Sequence, residues 1–148
     1  MVLLAVVAAC LVTAALAACP SDQWLTNDGN CYWISAYKAS WDNARKACQT
    51  MDPAADLTSI SHLLENSFIV EKLGAEYAWI GLNDHMHNRE FLWSDNSVVE
   101  FLYWAPNQPD NLLFKQHCVQ IYDKLSGEWD DEDCSVEKTF VCKLTGAA

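Results

Sequence analysis

The chain has 148 residues, 51% of them apolar, with 20 acidic against 9 basic side chains and a formal net charge of −11. A surface this acidic repels phosphate backbones and anionic headgroups, which argues against nucleic acid or a membrane as partner. The length fits one domain, and no repeat, linker or low-complexity tract divides it.

Residues 1–17 are apolar and uncharged and end on Ala15-Leu16-Ala17, small residues at the −3 and −1 positions of a cleavage site. They are expected to be a secretory signal peptide, leaving residues 18–148 as a secreted, extracellular domain. A membrane anchor needs about 20 apolar residues, and Cys19-Pro20-Ser21-Asp22 interrupts the run too early. Of 7 cysteines, Cys10 leaves with the signal, so Cys19, Cys31, Cys48, Cys118, Cys134 and Cys142 remain. An even count in a secreted chain reads as disulfides, with about fifteen pairings open for three bridges. Zinc fits poorly, because there is no Cys-x₂-Cys pair and the compartment is oxidising.

The run from Ser40 to Cys48 has a candidate N-cap serine and apolar residues at 41, 44, 47 and 48 on one helical face. A second helix is expected from Ser61, with Leu64, Phe68 and Leu73 as its apolar stripe and Gly74 as its stop. After Gly74 come short aromatic and β-branched runs: Tyr77 to Leu82, Phe91 to Trp93, Cys118 to Tyr122 and Thr139 to Cys142. These read as strands, the last two half-buried. Helices first and strands after predict an α+β domain with helices packed on an antiparallel sheet. Residues 94–116 lack periodicity and carry Pro106 and Pro109, and so long an irregular stretch is uncommon unless it is functional.

The chemistry gathers there. Gln108 and Asp110 flank a proline, so two oxygen-bearing side chains leave one stiff corner. Asp123, Glu128, Asp130, Asp131, Glu132 and Asp133 crowd the following segment. Oxygens without soft ligands suit a hard cation such as Ca²⁺. The plainer alternative is a turn beside a solvated acidic corner.

These residues together resemble the C-type lectin-like domain family over almost the whole mature chain, from Cys19 to Cys142. The resemblance is carried by Ser40-Trp41 through Cys48, Trp79-Ile80-Gly81-Leu82, Gln108-Pro109-Asp110, Trp129-Asp130-Asp131 and Phe140-Val141-Cys142. It implies two helices on short antiparallel sheets, a long irregular ligand-binding loop, and the pairing Cys19–Cys31, Cys48–Cys142 and Cys118–Cys134. It also implies a cis peptide before Pro109 and one calcium site formed by Gln108, Asp110, Gln116, Asp130 and Asp131. Gln116 stands where the family normally has glutamate, and Asp130 where it more often has asparagine, so one charge is lost and another gained. The residues matching an auxiliary site, Asp84, Asn88, Asn111, Gln116 and His117, include a single acid, so no second ion is expected.

In the family, Gln-Pro-Asp is the galactose-type order and Glu-Pro-Asn the mannose type. The implied ligand is therefore a glycan with terminal galactose or N-acetylgalactosamine, contacted by Gln108, Asp110, Leu112, Gln116 and Asp130. Leu112 takes the place of a tryptophan that usually stacks on the sugar. A shallow single site binds a monosaccharide with about −4 kcal/mol, so recognition or agglutination would need several sites. No cysteine is left for an interchain bridge, which leaves only a noncovalent homo-oligomer. Catalysis is not expected: His62, His85, His87 and His117 form no metal motif, and there is no nucleophile elbow. The competing function on the same fold is binding to a protein, mineral or ice surface.

Overall fold

The computed structural model describes residues 19–74, 76–122 and 126–146. The expected signal segment 1–17 and Asp123 lie outside them. In chain order the elements are β1 (Leu25–Asn27), β2 (Asn30–Ile34), α1 (Trp41–Met51), β3 (Asp56–Leu57), α2 (Leu63–Leu73), β4 (Ala78–His87), β5 (Glu90–Trp93), a single 3₁₀ turn (Leu112–Phe114), β6 (Gln116–Ile121), β7 (Trp129–Asp133) and β8 (Thr139–Leu144). Hydrogen-bonded neighbours run β1-β2-β8-β4-β6-β7, with β3 on β8 and β5 on β4. The pairs are antiparallel except β4 with β8, which is parallel, so the α+β fold has a mixed sheet.

The strand pattern explains why Thr139–Leu144 is buried along its whole length instead of half-buried as its alternation suggested. Phe140 and Cys142 enter one core with Trp41, Ala44, Cys48 and Trp79. Val141 enters the other, with Ile69, Leu73, Ile80, Leu82 and Trp129. A strand covered on both faces has no solvent side. Gly81 in β4 leaves no room for a side chain, since a Cβ there would meet Leu57 O at 2.8 Å and Ser94 Oγ at 2.7 Å. Two indoles cross-brace these layers, Trp41 donating to Ile80 O at 2.9 Å and Trp79 to Ala39 O at 3.0 Å. All three implied disulfides are formed: Cys19–Cys31, Cys48–Cys142 and Cys118–Cys134.

α1 buries Trp41, Ala44 and Cys48 as its spacing required, although the Ser40 hydroxyl at its N-cap makes no capping bond. α2 departs from expectation by one step. It begins at Leu63, and its N-cap is His62, whose Nδ1 accepts the Glu65 N–H at 3.1 Å, rather than Ser61. Its inward face is Glu65, Asn66, Ile69 and Leu73, while Leu64 is 78% exposed. Two polar residues therefore occupy the buried face, which the apolar pattern could not reveal. Gly74, with φ of +64°, ends the helix as expected. β4 runs on to His87, past the strand read at Tyr77 to Leu82, so His85-Met86-His87 finishes a strand. Residues 94–115 contain no strand, only turns, the 3₁₀ turn and an isolated bridge from Trp104 to Trp129, as their lack of periodicity suggested.

Candidate functional site

The irregular segment is fastened to the start of β7. Trp129 N–H donates to Tyr103 O at 2.7 Å, and Ala105 N–H donates to Trp129 O at 2.8 Å. The Trp129 ring is fully buried and makes edge contacts with Trp93, Phe101 and Trp104. Its indole donates to Asn66 Oδ1 at 2.9 Å, and the Asn66 amide donates to Gly127 O at 3.0 Å. A helix side chain thus sets the height of the strand that carries Asp130 and Asp131.

From that anchor the chain reaches the Gln108–Pro109 peptide, which is cis as the resemblance implied. Asp110 and Asn111 then turn their N–H groups onto the Asp131 carboxylate, at 2.9 Å to Oδ1 and 2.8 Å to Oδ2. Asp110, Asp130 and Asp131 each place a carboxylate oxygen within 4.8 Å of the others. Asp131 is wholly buried, Asp130 half-buried and Asp110 exposed. Burial is the main cause that pushes the Asp130 carboxyl up to about 6. The charges of Asp131, Asp110 and Glu132 add to it, while the Gln120 amide pulls the other way from 3.2 Å. Crowded carboxylates raise one another's pKa when no cation balances them.

The expected site residues do not all behave alike. Gln108 Oε1 is buried without a hydrogen-bond partner, and so is Oε1 of Gln120, whose amide nitrogen bonds Asp130. Gln116 Oε1 instead accepts the Leu112 N–H at 2.9 Å, and its amide nitrogen lies 3.4 Å from Glu132 Oε1. One lone pair remains on that oxygen. Leu112 is 59% exposed and begins an exposed apolar tip completed by Leu113 and Phe114. Of the residues matched to an auxiliary site, Asp84 is buried and already taken, with Oδ1 2.9 Å from His117 Nδ1 and Oδ2 accepting the Arg89 N–H at 2.8 Å. Asn111 Oδ1 accepts the Gln116 N–H at 3.1 Å. His85 Nε2 lies 3.4 Å from both sulfurs of the Cys118–Cys134 bridge. Disulfide sulfurs carry no thiolate and do not ligate a metal as one would.

Three residues here escaped the sequence reading: Asn66, Gln120 and Arg89, whose guanidinium meets Asp131 Oδ2 at 3.0 Å. Asn66 shares the helical face of Ile69 and Leu73, the one signal that could have exposed it. Nothing local marks Gln120 or Arg89. What gathers around Asp131 is a set of carboxylate oxygens from Asp110, Asp130 and Asp131, a donor chemistry that suits a hard divalent cation.

The Lectin C-type domain model matches residues 37–144. Lectin BRA-3 of Megabalanus rosa is 41% identical over 134 residues, covering 90% of this chain and 83% of that protein. The structure of C-type lectin CEL-I from Cucumaria echinata matches with a TM-score of 0.79 at 27% identity, over 84% of this chain and 96% of that one. A calcium-independent type II antifreeze protein matches with a TM-score of 0.77 at 25% identity, over 84% and 93% of the two chains. The chain belongs to the C-type lectin domain family.

Proposed function

We propose that the protein is a secreted, calcium-dependent sugar-binding protein, not an enzyme, whose ligand is a glycan ending in galactose or N-acetylgalactosamine. The observation that carries this is the convergence of the Asp110, Asp130 and Asp131 carboxylates within 4.8 Å; Gln108, two residues before Asp110, keeps an unpartnered Oε1. Those four residues, with the remaining lone pair of Gln116, would hold one calcium ion. Bound calcium would supply coordination positions for two neighbouring sugar hydroxyls.

The chain's own groups then set the hydrogen-bond order, because a carboxylate only accepts and an amide also donates. With the amide at Gln108 and the acid at Asp110, the polarity matches the galactose-type arrangement. Leu112, exposed beside them, offers an apolar surface to the sugar's C–H face. Secretion rests on residues 1–17; among the described residues, no helix is long and apolar enough to cross a membrane. A glycan array run in calcium and again in chelator tests the proposal. Calcium-dependent signal on galactose-type glycans is expected, and signal on mannose alone would refute the assigned polarity.

One observation favours a different partner on the same fold. Leu112, Leu113 and Phe114 are 59%, 76% and 87% exposed, and one similar structure is a calcium-independent antifreeze protein. An array without sugar signal, from a protein whose stability ignores calcium, would select binding to a protein, mineral or ice surface.

A further inference from the structure

Arg89 stands in the turn between β4 and β5, with φ of +67°. Its backbone N–H donates to Asp84 Oδ2 at 2.8 Å, and its guanidinium Nη1 donates to Asp131 Oδ2 at 3.0 Å. Both carboxylate side chains are fully buried. One residue thereby joins an acid on β4 to an acid on β7. The guanidinium carbon lies 5.3 Å from the centre of the Phe91 ring, which limits where the side chain can swing. Asp131 is also where the Asp110 and Asn111 amides of the long loop are tied. Asp131 Oδ2 has two donors and no lone pair to spare, whereas Oδ1 has one donor and keeps one free.

We propose that Arg89 is a built-in counter-cation. It balances Asp131, holds Asp110 and Asn111 against β7 without help from a metal, and leaves Oδ1 as the oxygen of Asp131 free for one. The loop-holding half stands alone; the choice of oxygen rests on the calcium proposal above. Arg89 is a positioning residue that acts through Asp131.

Hydrogen exchange in chelator, comparing wild type with Arg89→Gln and Arg89→Lys, tests it. Losing a charged hydrogen bond to a buried acid should speed exchange at the Asp110 and Asn111 amides by on the order of tenfold. Arg89→Lys, which keeps the charge, should recover most of the protection. Unchanged Phe140 and Cys142 amides in β8 would show that the fold is intact. Equal protection in wild type and Arg89→Gln, or Arg89→Lys exchanging as fast as Arg89→Gln, would overturn the counter-cation role. Adding calcium to wild type should slow both loop amides further. No slowing would refute the calcium half, and the chelator comparison would still decide the counter-cation half.

Discussion

The surroundings of Glu65 and of Asp130 are built in opposite ways. Around Glu65 the oxygens are supplied with donors: the Tyr32 hydroxyl at 2.6 Å, the Ser61 N–H at 2.8 Å, the Ser61 hydroxyl at 3.0 Å and the Lys143 ammonium. Burial alone would raise the pKa of Glu65, but bonds from Lys143, Tyr32 and Ser61 outweigh it and hold it below the usual carboxylate range. Tyr32, by contrast, is driven well above the ordinary phenol value by burial and by Glu65. Around Asp130 the balance reverses, since burial and neighbouring acids leave its carboxyl at about 6. Burial therefore does not distinguish structure from function here. The excess of acid around Asp130 is what marks the proposed site.

The sharpest way to break this contrast is to open the closed cluster. Glu65→Gln strands the Lys143 ammonium, whose side chain is 7% exposed, and should cost about 3–5 kcal/mol in denaturant unfolding. Sugar binding should survive wherever the variant is folded, because no residue of that cluster belongs to the proposed site.

Asp131→Asn attacks the other cluster. It should abolish the rise in melting temperature produced by calcium, a stabilisation of about 2.7 kcal/mol at a hundredfold excess over Kd. A variant that keeps the rise would place the ion elsewhere.

A pH series reads the same site through Asp130. Its folded pKa is raised, so its contribution to metal-free stability is fully present below the unfolded value near 4 and is lost as pH rises through about 6. The calcium effect has the opposite sign, because protons compete with the cation for the carboxylate. The calcium-induced melting shift should therefore shrink as pH falls from 7 to 5, and Asp130→Asn should flatten that dependence.

The smallest expected effect is at the rim. Leu112→Trp adds a ring beside the proposed sugar and should strengthen galactose binding by about 0.5–1.5 kcal/mol, measured by competition. No gain would mean that Leu112 does not face the ligand.

How much was legible in the sequence follows the range of the interactions involved. α1, the strands read at 77–82, 91–93, 118–122 and 139–142, and the disulfide pairing carried local spacing or a family order, and the structure has them, whereas β1, β2 and β7 were not read as strands. α2 was misread by one position because Glu65 and Asn66 face inward, satisfied by Tyr32, Lys143, Trp129 and Gly127, which are remote in sequence. The parallel pairing of β4 with β8 and the short strand β3 left no readable period. At the site, the aspartates stand in recognisable motifs. Arg89 lies 42 positions from Asp131, and only folding shows them joined.

The proposed calcium ion would sit among Asp110, Asp130 and Asp131. The most direct measurement is a calcium titration followed by NMR at the amides of Asp110 and Asn111, which are bonded to Asp131. The expected result is a single saturable transition with a midpoint of about 10⁻⁴–10⁻³ M, typical of extracellular sites, and absent in Asp131→Asn. No movement of these amides at about 10 mM calcium, or a transition centred on Asp84 instead, would contradict it.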